Sequence, residues 1–161
     1  MRYFHFMATD NNEEVKILFR FYSDIMEQDV TETLWALPEE EGLGYYRIDS
    51  IPFYFPGLAS DDIVFAEYDD KEEMLTYRET IERSGNSTVW VAILDDKIEI
   101  DDIRTIFLDL GCGSESIHDR YFAMEIAADT NYLKIKDRLN QLSSEKIIDY
   151  AEPYLSEAHQ Y

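Results

Sequence analysis

Apolar and polar positions alternate with a period of two along much of the first half of the chain. Val15, Ile17, Phe19 and Phe21 fall on one side, while Lys16, Arg20 and Tyr22 dominate the other, which predicts a strand over 15–22. Ser23 to Thr31 is polar and reads as a loop. It leads into residues 34–68, where short β-type runs alternate with tight turns. Leu34 to Leu37 is an apolar run closed by Pro38, and the charged stretch Glu39-Glu40-Glu41-Gly42 supplies a turn. Tyr45 to Ile48 is a second run. Phe53-Tyr54-Phe55 is a third, placed at an edge or bulge because Pro52 and Pro56 cannot donate to a ladder. Ile63 to Tyr68 is a fourth. Four short strands in about 35 residues predict a curled sheet or small barrel.

Beyond residue 73 the rhythm changes. Met74 to Arg83 and Thr88 to Leu94 flank Ser84-Gly85-Asn86-Ser87, which predicts a hairpin whose second arm is a central strand. Ile103, Ile106, Phe107 and Leu110 recur at helical spacing, so a helix is expected over 99–110, stopped by Gly111. Tyr121 to Ala127 reads as a strand. Asp129 or Thr130 caps a second helix with the stripe Tyr132, Ile135, Leu139 and Leu142. Ile147 to Ala151 forms a last strand stopped by Pro153, followed by a loose tail. Residues 1–12, with Tyr3, Phe4 and Phe6, read as a leader strand or arm. The expected fold is α+β: a β-rich half over 1–73 packed with a ferredoxin-like two-layer half over 74–161.

Composition permits a proper core: 45% of the 161 residues are hydrophobic and 14% aromatic, which argues against disorder despite the charge. No apolar run approaches the roughly 18 residues a membrane span needs, and the first residues lack a signal peptide's apolar centre. A single cysteine rules out an intrachain disulfide. These features predict a cytoplasmic protein. Fourteen cationic against thirty-five acidic residues give −21 at neutral pH. Such a surface repels nucleic acid and anionic membrane and steers in basic partners.

The chemistry in the chain is sparse. Cys112, with His118 six residues on, is the tempting nucleophile, yet a thiol just past a helix C-terminus faces the negative end of the dipole. Glu99, Asp101 and Asp102 lack the spacing of a calcium loop, and SGNST reads as a turn because no helix follows it. No HExxH, GxSxG, P-loop, dinucleotide or paired-cysteine motif is present, so no catalytic residue, metal or cofactor is assigned.

The phrases VKILFRF, LWALP, YYRIDSIPFYFPGLASDDIVFAEY, SGNSTVWV and LGCGSE, in that order, resemble the bacterial domain-of-unknown-function family numbered 4265 over roughly residues 13–115. The resemblance implies a bacterial origin and a shared fold. It brings no established activity.

The expected function is therefore that of an acidic immunity or inhibitor protein, which binds and neutralises a basic bacterial toxin domain such as a nuclease effector. The candidate contact residues are Glu39, Glu40, Asp61, Asp62, Asp69, Asp70, Glu72 and Glu73, with Tyr45 and Tyr46 as aromatic anchors. The alternatives are a DNA-mimic inhibitor of a nucleic-acid-binding protein, and a small enzyme or ligand-binding domain.

Overall fold

A computed structural model of the chain describes residues 13–24, 26–40 and 43–161. The expected leader strand and the Glu41-Gly42 part of the first turn lie outside these residues. The chain divides into two compact units, one of Met1–Ser50 with Asp61–Arg83, the other of Ile51–Ser60 with Ser84–Tyr161.

The first unit is a closed five-stranded barrel: β1 (Val15–Ser23), β2 (Gln28–Glu40), β3 (Tyr45–Ile48), β4 (Ile63–Asp69) and β5 (Met74–Glu82). Each strand pairs antiparallel with the next, and β1 meets β5 in parallel at Leu18 and Thr76. Five strands in a meander leave the first and last pointing the same way, so closure must be parallel. Ile17, Phe19, Leu34, Ala36, Ile48, Val64 and Ala66 are buried, and Phe19 stacks on Tyr77 at 4.7 Å. The start of β3 needs a glycine. Gly44 has φ +77°, and a Cβ there would lie 2.9 Å from the Phe65 ring.

The second unit is a four-stranded antiparallel sheet in the order β7-β8-β6-β9, with two helices. Its elements are β6 (Ser87–Ile93), α1 (Ile100–Asp109), β7 (Ser114–His118), β8 (Tyr121–Ile126), α2 (Tyr132–Ser144) and β9 (Ile148–Tyr154). Val89, Val91, Phe122, Met124 and Ile148 from the sheet bury together with Ile103, Phe107, Ile135 and Leu139 from the helices. Ile51–Ser60 is bonded to alternating side chains of the same sheet. Trp90 donates to Pro52 O at 2.8 Å, Thr88 to Leu58 O at 2.8 Å, and Tyr121 to Phe53 O at 2.5 Å.

Several expectations are corrected. β1 runs to Ser23 and β2 from Gln28 through Pro38, so much of the expected Ser23–Thr31 loop belongs to strands. Proline is tolerated there because the register shifts between Pro38 and Glu40. Phe53-Tyr54-Phe55 is no strand, because two prolines deny it a ladder, and the Phe53 carbonyl accepts from the Tyr121 side chain instead. β5 and β6 form no hairpin: β5 pairs with β4 and β1, and β6 with β8 and β9. β7 takes the place of a loop, and β9 continues through Pro153 on the edge of its sheet. The second helix is capped by Asn131, whose Oδ1 accepts from Leu133 N. The tail is docked, with a 3-10 turn at Glu157–His159 and His159 buried.

Candidate partner-binding face

The β4–β5 hairpin is built around Asp69. Its Oδ1 accepts from the backbone N–H groups of Lys71 and Glu72 at 2.8 and 3.1 Å, and its Oδ2 accepts from Arg78 at 3.0 Å. The Arg78 bond, then the two N–H bonds, hold this carboxyl below its ordinary range. Arg78 also holds Glu67 at 3.1 Å. Glu72 takes a two-pronged bond from Arg20, at 2.7 and 2.9 Å, which lowers its pKa as well. The turn closes with Glu73 at φ +58°. Asp70 and Glu73 are exposed, with no side-chain partner among the described residues. The hairpin therefore presents two uncommitted carboxylates on a loop fixed by two arginines.

The β2–β3 hairpin carries Glu39, 3.7 Å from Arg47, and pairs Glu40 with Tyr45 and Pro38 with Tyr46. Tyr45 packs edge-on against Phe65 at 6.2 Å, and both tyrosines are half-buried. Because the meander alternates direction, this hairpin and the β4–β5 hairpin open at the same end of the barrel. Asp61 and Asp62 do not join them. They precede β4 rather than follow it, a strand length of roughly 20 Å away. Asp61 is half-exposed in the turn, with φ +67°. Asp62 is completely buried against Arg83 at 3.1 Å, so it is a structural ion pair and not a contact residue. The structure thus gathers Glu39, Tyr45, Tyr46, Asp69, Asp70, Glu72 and Glu73 at one end and removes Asp62 from the surface.

The second unit holds the chemical candidates. Cys112 is fully buried, and burial, with the nearby Glu125 carboxylate, pushes its thiol up to about 12. The direction expected from the helix dipole holds, but desolvation is the main cause. His118 is exposed, and its Nδ1 accepts from Arg120 N. No hydrogen bond joins it to Cys112. No group of three potential metal ligands occurs among the described residues.

Three polar clusters have no local sequence signal, because their members lie far apart in the chain. Ser60 donates to Glu125, while the Asn86 amide donates to Ser60 O at 3.1 Å. Ser87 Oγ lies 2.6 Å from His159 Nδ1, and His159 Nε2 faces Ala127 O at 3.0 Å, so Nε2 carries the proton and Nδ1 accepts. This is a nucleophile–base geometry, but Ser87 is 0% and His159 2% exposed, which seals it from any substrate. Lys136 bonds Glu152 at 3.0 Å and the Tyr161 hydroxyl at 2.8 Å, and Tyr132 donates to the same Glu152 oxygen.

A family model described as a domain of unknown function, DUF4265, matches residues 32–150. The resemblance read over residues 13–115 is borne out, and the match reaches through α2 into β9. A solved structure described as a "Novel crystal structure of a hypothetical protein from Neisseria gonorrhoeae" is similar in fold. It has a TM-score of 0.78 and 24% sequence identity, over 91% of this chain and 99% of that one. No curated protein matches.

Proposed function

This chain belongs to the DUF4265 family, whose description assigns no activity, and from its own surface we propose that it is an acidic inhibitor or immunity protein for a basic protein partner. The partner is a toxin domain of interbacterial competition, such as a nuclease effector, met in the cytoplasm. One observation carries this reading: the barrel's hairpin end presents Asp70 and Glu73 on a turn held by Arg20–Glu72 and Arg78–Asp69. Pre-positioned carboxylates on a rigid turn attract a cationic surface at little ordering cost, and half-buried Tyr45 and Tyr46 nearby suit the anchoring role.

Within the barrel unit, 20 acidic residues stand against 7 cationic ones, −13 of the chain's −21. No helix among the described residues is long and apolar enough to cross a membrane, which fits the cytoplasmic assignment. The second unit we read as a ferredoxin-like support. Its strand order, its all-antiparallel pairing, and the helices after β6 and after β8 support that reading.

The test is to capture partners from lysate of the source bacterium, co-express a captured basic domain with this chain, and measure growth. Protection that persists in Cys112→Ala with His118→Ala, and weakens in Asp70→Lys with Glu73→Lys, is the expected result. Protection lost in the first pair with the fold intact would point to an enzyme instead. Capture of assorted DNA-binding proteins that modest salt releases would point to nucleic-acid mimicry.

A further inference from the structure

The second unit carries a groove between α1 and α2 of about 420 Å³, lined by Ile106, Asp109, Leu110, Lys134, Asp137 and Arg138, with Gln141 at its end. Its charge is unlike the rest of the molecule. Two carboxylates and two cations balance there, on a chain of net −21. None of the four makes an ion pair within the chain among the described residues, and Arg138 donates only to Gln141 Oε1, at 2.6 Å. The other helix cations are engaged: Arg104 with Ser114 and Asp101, Lys136 with Glu152. Apolar surface adjoins the charges. Leu110 is 36% exposed, and Leu133, one turn before Asp137 on α2, is 59% exposed.

We propose that this groove is a self-recognition face, by which two copies of the chain associate about a two-fold axis. Such an axis brings a patch against itself, so every attractive contact requires both signs within the one patch. A neutral groove with equal numbers of unmet cations and carboxylates meets that requirement. The strongly acidic surfaces elsewhere would repel a second copy. Asp109 and Asp137 of one copy meet Lys134 and Arg138 of the other, around a centre of Ile106 and Leu110. The face shares no residue with the partner-binding hairpins of the barrel and does not rest on that reading.

Sedimentation of the full chain in about 0.15 M salt, where the Debye length is about 8 Å, tests this. The wild type is expected to dimerise with a dissociation constant below roughly 1 mM. Lys134→Glu with Arg138→Glu should weaken association at least about tenfold, and so should Asp109→Lys with Asp137→Lys. The second pair brings the net charge to −17, so its loss of association cannot come from added repulsion. Mixing the two variants should restore a heterodimer, which also shows that both are folded. A wild type that stays monomeric to roughly 1 mM overturns the proposal, as does Asp109→Lys with Asp137→Lys dimerising like the wild type.

Discussion

The arginines of the two units do different work. In the barrel, Arg20, Arg47, Arg78 and Arg83 each hold a carboxylate: Glu72, Glu39, Asp69 with Glu67, and Asp62. In the second unit, Arg120 donates to the backbone carbonyls of Asp95, Ile98 and Asp96, and Arg104 to Ser114 O and Oγ. The barrel uses its few cations to fix excess negative charge in place. In the second unit Arg120 staples the Asp95–Ile98 loop and Arg104 the first residue of β7, although Arg104 also meets Asp101 and Lys136 holds Glu152. A surplus of acid can therefore be a positioned feature in one region and a solvated background in another.

The largest effects should come from the two cores, and they show whether the units are separable. Phe19→Ala and Phe107→Ala should each cost about 3–5 kcal/mol. Hydrogen exchange should show lost protection confined to the barrel in the first case and to the second unit in the other. Spread of both losses over the whole chain would mean one cooperative body.

The arginine contrast predicts a graded series in urea unfolding. Arg83→Ala takes the ion-pair partner at 3.1 Å from a buried carboxylate and should cost about 3 kcal/mol. Arg120→Ala leaves carbonyls short of a donor and should cost about 1–2 kcal/mol. Arg20→Ala breaks an exposed pair screened by solvent and should leave the urea midpoint nearly unchanged. An Arg20 effect as large as that of Arg83 would break the comparison, because it would make the hairpin pair a stability element.

The Glu152 cluster gives the second unit a pH window. Burial raises the pKa of Glu152, but bonds from Tyr132, Tyr161 and Lys136 outweigh it and leave the carboxyl below its ordinary range. Its stabilisation is complete above the unfolded value of about 4.3 and is lost as pH falls through the depressed folded value. For Lys136, burial lowers the pKa, yet bonds to Tyr150, Tyr161 and Glu152 raise it overall. That contribution is complete below about 10.4 and disappears as pH rises through the raised folded value. Glu152→Gln should reduce the proton uptake on acid unfolding, read as a shallower slope of stability against pH. An unchanged slope would show that the cluster does not couple to folding.

Smallest in stability is the hairpin tip. Asp70→Lys and Glu73→Lys should each change it by no more than about 0.5 kcal/mol. Their effect belongs to the on-rate for a cationic partner.

Residues with local periodicity announced their structure. β1, both helices and the aromatic-rich run at 45–48 follow from spacing alone. Dense turns pointed to a curled sheet or small barrel, but three of the four strands read there belong to it; Phe53-Tyr54-Phe55 does not, and β1 and β5 complete it. Met74 to Glu82 reads equally well as a hairpin arm toward Thr88, and only tertiary pairing assigns it to β4. The candidate face was legible as charge and not as geometry. Nothing local distinguishes Asp62, buried against Arg83, from Asp61 beside it, because burial there depends on a cation 21 residues away. The docked tail was missed for the same reason, since the partners of His159 are Ser87 and Ala127.

The ten residues Ile51–Ser60 have a consequence for how the molecule is made. They leave the ribosome before any strand of the sheet whose Trp90, Thr88, Tyr121 and Glu125 they engage. Between Ser60 and the end of β8 at Ile126 lie 66 residues of chain, roughly 3–13 s of synthesis at about 5–20 residues per second. Until β5 ends at Glu82 this apolar, proline-containing segment follows an unfinished barrel, and until Ile126 its own sheet is incomplete. A gene fragment beginning at Ser84 would lack the segment altogether. Its product would expose the indole, hydroxyls and carboxylate that the segment engages, so the natural cutting point for an expressible half does not exist in this chain.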